Sequence, residues 1–411
     1  MASKRGCPWA SNCKGRVNLV IGYAGATRCA WPLFTAQLSD PAGSRVISFS
    51  MRIIRPLFFL FLGAVAPIAL GAGTIIESVI APASAGHPRN SEGDLVVLKD
   101  GTLLVAWTDF YGGVSSDFAL ARISGIKSTD AGRTWGTPFT LVENTGGLNI
   151  MSVSFLRLQN GEILFFYCIK NSKTDLKLMV RRSSDEAKTW SEPMTVTPEV
   201  GYNVMNNARA VLLNDGRIIC PVASTEEAIR KGEVYRTVMY FSDDDGHTWK
   251  RGKGEVHCEK RGAMEPGVIE LKDGRLLQII RTQFGLIWHA HSSDRGDTWT
   301  EAKPWTVVTP EAPSTLVRLP DNGDFLLVYN PIAQLSAASH SGRRTPMAAA
   351  ISNNEGATWQ RIKLVENDLT RTYAYFSVRI HDGRVLLVYH SSKDDLSVLQ
   401  FKSIPIEWFR E

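Results

Sequence analysis

The chain has 411 residues, 44% of them hydrophobic and 21% charged, the balance of a folded globular protein with room for one large domain or two to three smaller ones. Its formal charge of +5 is concentrated in residues 1–50, which hold six Lys and Arg against one acid, whereas from Gly86 onward 38 basic residues meet 39 acidic ones. In a body so nearly neutral, nothing in the charge suggests nucleic-acid binding.

Residues 1–50 show no hydrophobic periodicity and hold Cys7, Cys13 and Cys29. They read as a non-native N-terminal extension, an artefact of start-site choice, with Met51 as the true start. From there the text is "MRIIRPLFFLFLGAVAPIALGAG", with Arg52 and Arg55 ahead of an apolar run from Pro56 to Leu70. Small residues follow in "APASA", ending at Ala85. This order of basic start, apolar run and small residues predicts a secretory signal peptide over 51–85, and so export to the periplasm or the extracellular space. A membrane anchor is the competing reading. The run is short for one and Gly63 and Pro67 interrupt it, so the mature chain is expected to have no stable membrane span. The remaining Cys168, Cys220 and Cys258 show no CxxC spacing and read as buried apolar residues, with no zinc site.

Beyond Gly86 the chain repeats itself. "LKDGTLLVAW" begins at Leu98, "LQNGEILFFY" at Leu158, "LNDGRIICPV" at Leu213, "LKDGRLLQII" at Leu271, "LPDNGDFLLVY" at Leu319 and "IHDGRVLLVY" at Ile380. Asp-Gly or Asn-Gly between alternating apolar residues predicts a hairpin with a type I′ turn. The turn glycines, 101, 161, 216, 274, 323 and 383, stand about 50 to 60 residues apart, enough for four antiparallel strands each. Six such units predict an all-β protein, a six-bladed β-propeller of four-stranded antiparallel blades spanning 86–411, with both termini in one blade. "LSVLQFKSIPIEWF" at the C-terminus reads as the closing strand.

A second repeat follows five of these hairpins: "STDAGRTW" from Ser128, "SSDEAKTW" from Ser183, "SDDDGHTW" from Ser242, "SSDRGDTW" from Ser292 and, in the last copy, "SNNEGATW" from Ser352. Its Asp is expected to accept backbone N–H bonds within a tight turn, its Gly to be left-handed and its Trp to fill the gap between blades. One active site has no use for five copies, so the repeat is read as a staple rather than a catalyst.

These boxes resemble the Asp-boxes, or bacterial neuraminidase repeats, and from about Arg89 to its end the chain resembles the sialidase superfamily. The resemblance implies three arginines that clamp a substrate carboxylate through paired N–H bonds: Arg89 in "HPRNSEGD", Arg281 in "LLQIIRTQFG", and Arg344 in "SGRRTPMAAAIS", with Arg343 as second choice. It implies Tyr375 in "TYAYFSVRIHDGR" as nucleophile, with Tyr373 as fallback, and Glu265 in "GAMEPGVIELKDGRL" as the base that activates it. It implies Asp117 in "GGVSSDFALARI" as general acid, with Asp109 in "WTDFYGG" as the alternative. A neutral phenol suits a substrate whose own carboxylate would repel an anionic nucleophile, so tyrosine-using sialidases stand outside the two-carboxylate scheme of most glycoside hydrolases.

One departure stands beside the clamp: Arg89 is followed by Asn90, Ser91 and Glu92, and Glu92 is expected at the pocket edge. In "VMNNARAVLL", Asn206, Asn207 and Arg209 read either as groups that recognise substrate or as strand-end polar residues. The implied activity is a retaining exo-sialidase that removes a terminal acidic sugar from a glycan, without metal or other cofactor. The alternatives are a hydrolase of the same fold acting on another sugar, and a carbohydrate-binding propeller without catalysis.

Overall fold

Alternating apolar residues between Gly-containing turns build a fold dominated by β-strands in the described residues. The computed structural model describes residues 73–332 and 343–411, so the expectations for residues 1–50 and for the apolar run 56–70 lie outside the described residues. The described residues all fall within one compact unit, Pro67–Glu411. Among them the only helix is the five-residue Ile406–Arg410, which begins where Pro405 ends the last strand, so the C-terminal strand stops short of the expected "EWF". No helix among them is long and apolar enough to cross a membrane.

The strands form sheets of eight, nine, four and four members. Hydrogen bonding alone does not divide them by six, because neighbouring groups join through short parallel bridges. Arg89 of the strand Arg89–Val97 pairs with Ser397 of Leu396–Pro405, and Gly201–Val204 runs beside Asp175–Ser183. The two smaller sheets are plain four-stranded antiparallel units, Met264–Glu270 through Lys303–Val308 and Thr315–Arg318 through Gln360–Glu366. Successive groups pack face to face. Val328 and Ala349 lie in one cluster with Phe376 and Leu387 of the next group, and Leu104 and Ala106 lie with Phe155 and Phe165. Each large side chain buried in this way contributes about 1.5–3 kcal/mol.

A strand also lies within the segment read as a leader. Ile76–Ala81 pairs antiparallel with Leu396–Pro405 from Ile76↔Ser403 to Ala81↔Leu399, and it buries Ile80 and Ala81. The fold uses Ile76–Ala81, upstream of Ala85, as the outer partner of its last strand. The first described strand and the last share one sheet.

All six predicted turn glycines are left-handed, with φ between 69° and 92°. The turn type differs from expectation in the first of them. Gly101 N–H bonds the Leu98 carbonyl at 2.9 Å and Leu98 N–H bonds Thr102 at 2.8 Å, with no positive φ at Lys99 or Asp100. This is a type I turn closed by a left-handed glycine, and Asp100 accepts from the Thr102 N–H at 2.9 Å. The two-residue form appears at Asp382-Gly383, where both residues have positive φ between His381 and Arg384.

The polar-Trp repeats fold as expected of staples. In the first, the Gly132 N–H donates to Ser128 Oγ at 2.9 Å and the Thr134 N–H to Asp130 Oδ1 at 2.9 Å. The same bonds recur about Asp185, Asp244, Asp294 and Asn354. The tryptophans are half-buried lids on the sheet edges rather than buried plugs. Trp135 meets Phe401 edge-on at 5.3 Å, and Trp249 meets Phe166 at 5.7 Å.

Candidate active site

Four of the strands share a local feature that a strictly alternating strand would lack. The antiparallel register slips between Ser91 and Asp94, Met151 and Ser154, Met264 and Gly267, and Ala374 and Ser377. Inside each slip one residue is left-handed: Glu92 at φ 52°, Ser152 at 60°, Glu265 at 42° and Tyr375 at 57°. Such a bulge re-aims a side chain that would otherwise follow the pleat, and each left-handed non-glycine residue costs about 1–3 kcal/mol. The strain is held by hydrogen bonds. Asn207 Nδ2 donates to the Gly93 carbonyl at 2.8 Å and to the Tyr375 carbonyl at 2.9 Å, so one side chain pins two bulges. The Ser152 N–H donates to Thr108 Oγ1 at 2.9 Å.

The four bulge residues meet in two pairs. Tyr375 Oη donates to Glu265 Oε1 at 3.1 Å, and Ser152 Oγ donates to Glu92 Oε2 at 2.5 Å. Glu265 Oε2 lies 2.7 Å from Arg281 Nη1, and Asn206 Nδ2 donates to Glu265 Oε1 at 3.2 Å. The Arg344 guanidinium lies 5.6 Å from the centre of the Tyr375 ring. Arg89 pairs with Glu92 at 2.9 Å and with Asp117 at 2.5 Å, and rests 4.4 Å from the centre of the Phe110 ring. Glu92, Asp117, Glu265, Arg281 and Tyr375 line a cavity of about 280 Å³. An outer cavity of about 640 Å³ is lined by Arg89, Arg343, Arg344 and His390, and it shares Asp117 and Tyr375 with the first.

Charge sets the chemistry available here. Burial and the neighbouring Glu265 push the Tyr375 phenol up, while Arg344 and Arg281 pull against them. Burial would raise Glu265 as well, but the charge and hydrogen bond of Arg281, helped by Arg344 and Arg209, outweigh it and hold the carboxyl below its ordinary value. Burial raises Glu92, with Arg89 opposing. His390, 5.4 Å from the Tyr375 ring, is driven well below the usual imidazole range by burial and by Arg89 and Arg344. The result is a neutral phenol hydrogen-bonded to an ionised carboxylate, ringed by cations.

The expected residues fall into three sets. Arg89, Arg281, Arg344, Glu92, Asp117, Glu265 and Tyr375 come together, with Arg343 on the outer rim. Asp109 does not join them: it pairs with His87 at 2.6 Å and Arg122 at 3.1 Å beside a different cavity. Tyr373 is core, 1% exposed, because the bulge at Tyr375 turns its neighbour two residues back away from the site. Asn207 holds the main chain, and Arg209 does so while also lending its charge to Glu265. Arg209 is buried and donates to the Ser314 carbonyl at 3.0 Å.

Three groups of the site escape the sequence reading. Glu311 is buried between Arg261, Arg281 and Gln283. Ser152 mates Glu92. Lys170, wholly buried, ends an apolar strand, and a lysine at the close of "ILFFYCIK" is the signal that points to it. Among the described residues no cluster of three or more His, Cys, Asp or Glu is disposed to hold a metal ion. Cys168 and Cys220 are buried free thiols, and Cys258 is only half-buried.

The family described as a BNR repeat-like domain matches residues 101–387. The chain is 25% identical over 240 residues to a sialidase of Clostridium perfringens, covering 51% of this chain and 60% of that one. It is 26% identical over 231 residues to a sialidase of Bacteroides fragilis, covering 53% and 40%. It thus spans less than two thirds of the length of these curated relatives. Among solved structures, a protein of unknown function from Dyadobacter fermentans superimposes with a TM-score of 0.66 at 20% identity, over 80% of this chain and 98% of that one. A mutant of Trypanosoma rangeli sialidase displaying trans-sialidase activity gives 0.63 at 19% identity, over 80% and 58%.

Proposed function

The chain belongs to the sialidase superfamily through its BNR repeat-like domain, and from that premise we propose that it is a retaining glycoside hydrolase of exo-sialidase type, removing a terminal sialic acid or related acidic sugar from glycans. The observation that carries this reading is the Tyr375–Glu265 hydrogen bond of 3.1 Å, set among Arg89, Arg281 and Arg344.

In this mechanism the arginines receive the substrate carboxylate. Tyr375 Oη bonds the anomeric carbon as its proton passes to Glu265 Oε1, and Asp117 gives a proton to the departing glycosidic oxygen. Water then attacks the same carbon. Asp117 takes the water's proton, the tyrosyl–sugar bond breaks, and the proton on Glu265 returns to the phenolate. Two displacements at one carbon retain its configuration. In the free protein Glu265 is held weakly basic by Arg281. A substrate carboxylate seated on Arg281 and Arg344 compensates those charges and strengthens the base at the moment it is needed.

A second reading keeps the fold and changes the sugar. Glu92 favours it, because an acid buried in the pocket beside Arg89 weakens the attraction for an anion and offers a partner to sugar hydroxyls. The test of the function is turnover of a fluorogenic sialoside by the parent and by Tyr375→Phe and Glu265→Gln. Turnover lost in both variants supports the enzyme. Turnover only of other glycosides selects the second reading, and binding without turnover selects a carbohydrate-binding protein.

We also propose that the repeats form six blades closed by Ile76–Ala81 on Leu396–Pro405, a reading supported by the six turn glycines and that pairing. Export by a leader beginning at Met51 belongs to the same proposal. Because the fold uses Ile76, cleavage falls upstream of it, and N-terminal sequencing of the exported protein tests this.

A further inference from the structure

Lys170 is a buried cation that the proposed chemistry does not use. It ends the strand Ile163–Lys170, it is 0% exposed, and burial lowers its hold on a proton while Asp117 and Glu92 oppose that effect. A buried ammonium persists where fixed partners replace water. Besides the Tyr202 ring 5.6 Å away, its partners belong to the loop that carries the general acid. Nζ donates to the Asp117 carbonyl at 2.6 Å and lies 4.6 Å from the centre of the Phe118 ring. Directly across the strand pair from Lys170 stands Asn149, whose Nδ2 donates to the same Asp117 carbonyl at 2.9 Å and to the Ala119 carbonyl at 2.7 Å.

The loop between Phe110 and Ala121 is also held by Arg89, which donates to the Ser115 carbonyl at 3.3 Å and pairs with Asp117. Gly112 and Gly113 are left-handed at φ 82° and 79°, Val114 and Leu120 are exposed, and Asp117 has a side chain 47% exposed. The cross-strand pair fixes the main chain at the residue whose carboxyl must reach the leaving oxygen, and that carboxyl faces Arg89.

We propose that Lys170, with Asn149, is the positioning residue for the general acid: it clasps the Asp117 peptide and sets where its carboxyl can deliver a proton. This rests on the glycoside-hydrolase reading above. The test uses the full chain with Lys170→Met, which keeps the volume and removes the donor, and Asn149→Ala, which removes the second bond to the same carbonyl. Two sialosides are compared, one with an aryl leaving group that needs little protonation and one with an alkyl sugar leaving group that depends on it. The expected result is a loss of about 10²-fold in kcat/KM on the alkyl substrate, against a several-fold loss on the aryl one. A role confined to stability lowers both alike, and that outcome overturns the proposal. Hydrogen exchange of amides 111–120 provides a readout without turnover: exchange in this loop speeds up in both variants, and unchanged exchange also overturns it. A parent that hydrolyses neither sialoside defeats the functional reading, while the exchange experiment still decides whether Lys170 clasps the loop.

Discussion

Glu265 and Tyr375, 110 positions apart, meet through a 3.1 Å hydrogen bond, and each stands on a left-handed bulge residue of its strand. The bond is made by two strained backbones aimed at one point, so its geometry is fixed before any substrate arrives. What varies is the charge around it, and this gives a first expectation. Glu265 must be ionised to accept the phenol's proton, so kcat/KM falls on the acid side as that carboxylate protonates. Arg281 and Arg344 hold it below the ordinary glutamate value. Removing a cation raises it, so Arg344→Met shifts the acid limb of the pH profile to higher pH. A limb that stays in place or moves lower contradicts the assignment of Glu265 as the base.

Glu92 is expected to set how strongly Arg89 attracts an anion. Its carboxylate lies 2.9 Å from Arg89 Nη2 and takes the Ser152 hydroxyl at 2.5 Å. Glu92→Gln keeps the shape and removes the charge. The KM for an anionic aryl sialoside is expected to fall by about tenfold, since a buried like charge opposes the ligand, and thermal stability falls with the lost ion pair. If KM rises instead, Glu92 is binding sugar hydroxyls and the substrate is to be sought among less acidic glycosides.

The repeats make the fold legible because turn chemistry is local. The Asp, Asn and Gly of each hairpin are satisfied by neighbours within four residues, so the sequence displays them directly. Membership of the site is legible only through its order along the chain. Alternation places Tyr373 and Tyr375 on one face, and it is the extra residue in the register between Ala374 and Ser377 that separates them. Asn207 and Arg209 look like ligand-binding residues because their carbonyl partners lie more than a hundred residues away in the chain, a pairing that no local pattern carries. Glu311 and Lys170 likewise find their partners far along the chain, with the apolar run that ends at Lys170 as the local sign of the second. Only the packed sheets show that each charge is spent on another part of the site.

Gly132 has little freedom to change. Its φ is 86°, and a Cβ at this position would come within 2.1 Å of Phe401, the ring that Trp135 covers. The second repeat already has Ala187 in the matching place at φ 58°, which shows that an alanine is tolerated where the neighbouring group leaves room. Gly132→Ala is expected to destabilise by about 2–4 kcal/mol, combining strain and overpacking. Ala187→Gly is expected to change stability by no more than about 1 kcal/mol. Urea unfolding of the two variants checks both, and equal effects contradict the packing argument.

The staples also predict how the fold responds to acid. Asp130 is held at about 2 by the Thr134 hydroxyl and N–H and by Ser128, and Asp185 is held at about 2 by Thr189 in the same way. At Asp244 burial pushes upward, but Ser242 and Thr248 outweigh it and hold the group at about 2. An unfolded aspartate titrates near about 3.9. Each folded value is depressed, so each group stabilises the fold fully above the unfolded value, and that contribution is lost as pH falls toward 2. The fifth repeat supplies the control. Asn354 accepts the Thr358 N–H at 2.9 Å as the aspartates do, but its Nδ2 donates to the Thr358 hydroxyl, so it keeps the turn without a titrating group. Asp130→Asn, Asp185→Asn and Asp244→Asn together should therefore leave the fold standing at pH 7 and flatten the decline in urea midpoint between pH 5 and 2. A decline as steep as the parent's would mean that the acid sensitivity arises elsewhere, with the buried Glu265–Arg281 pair as the next place to look.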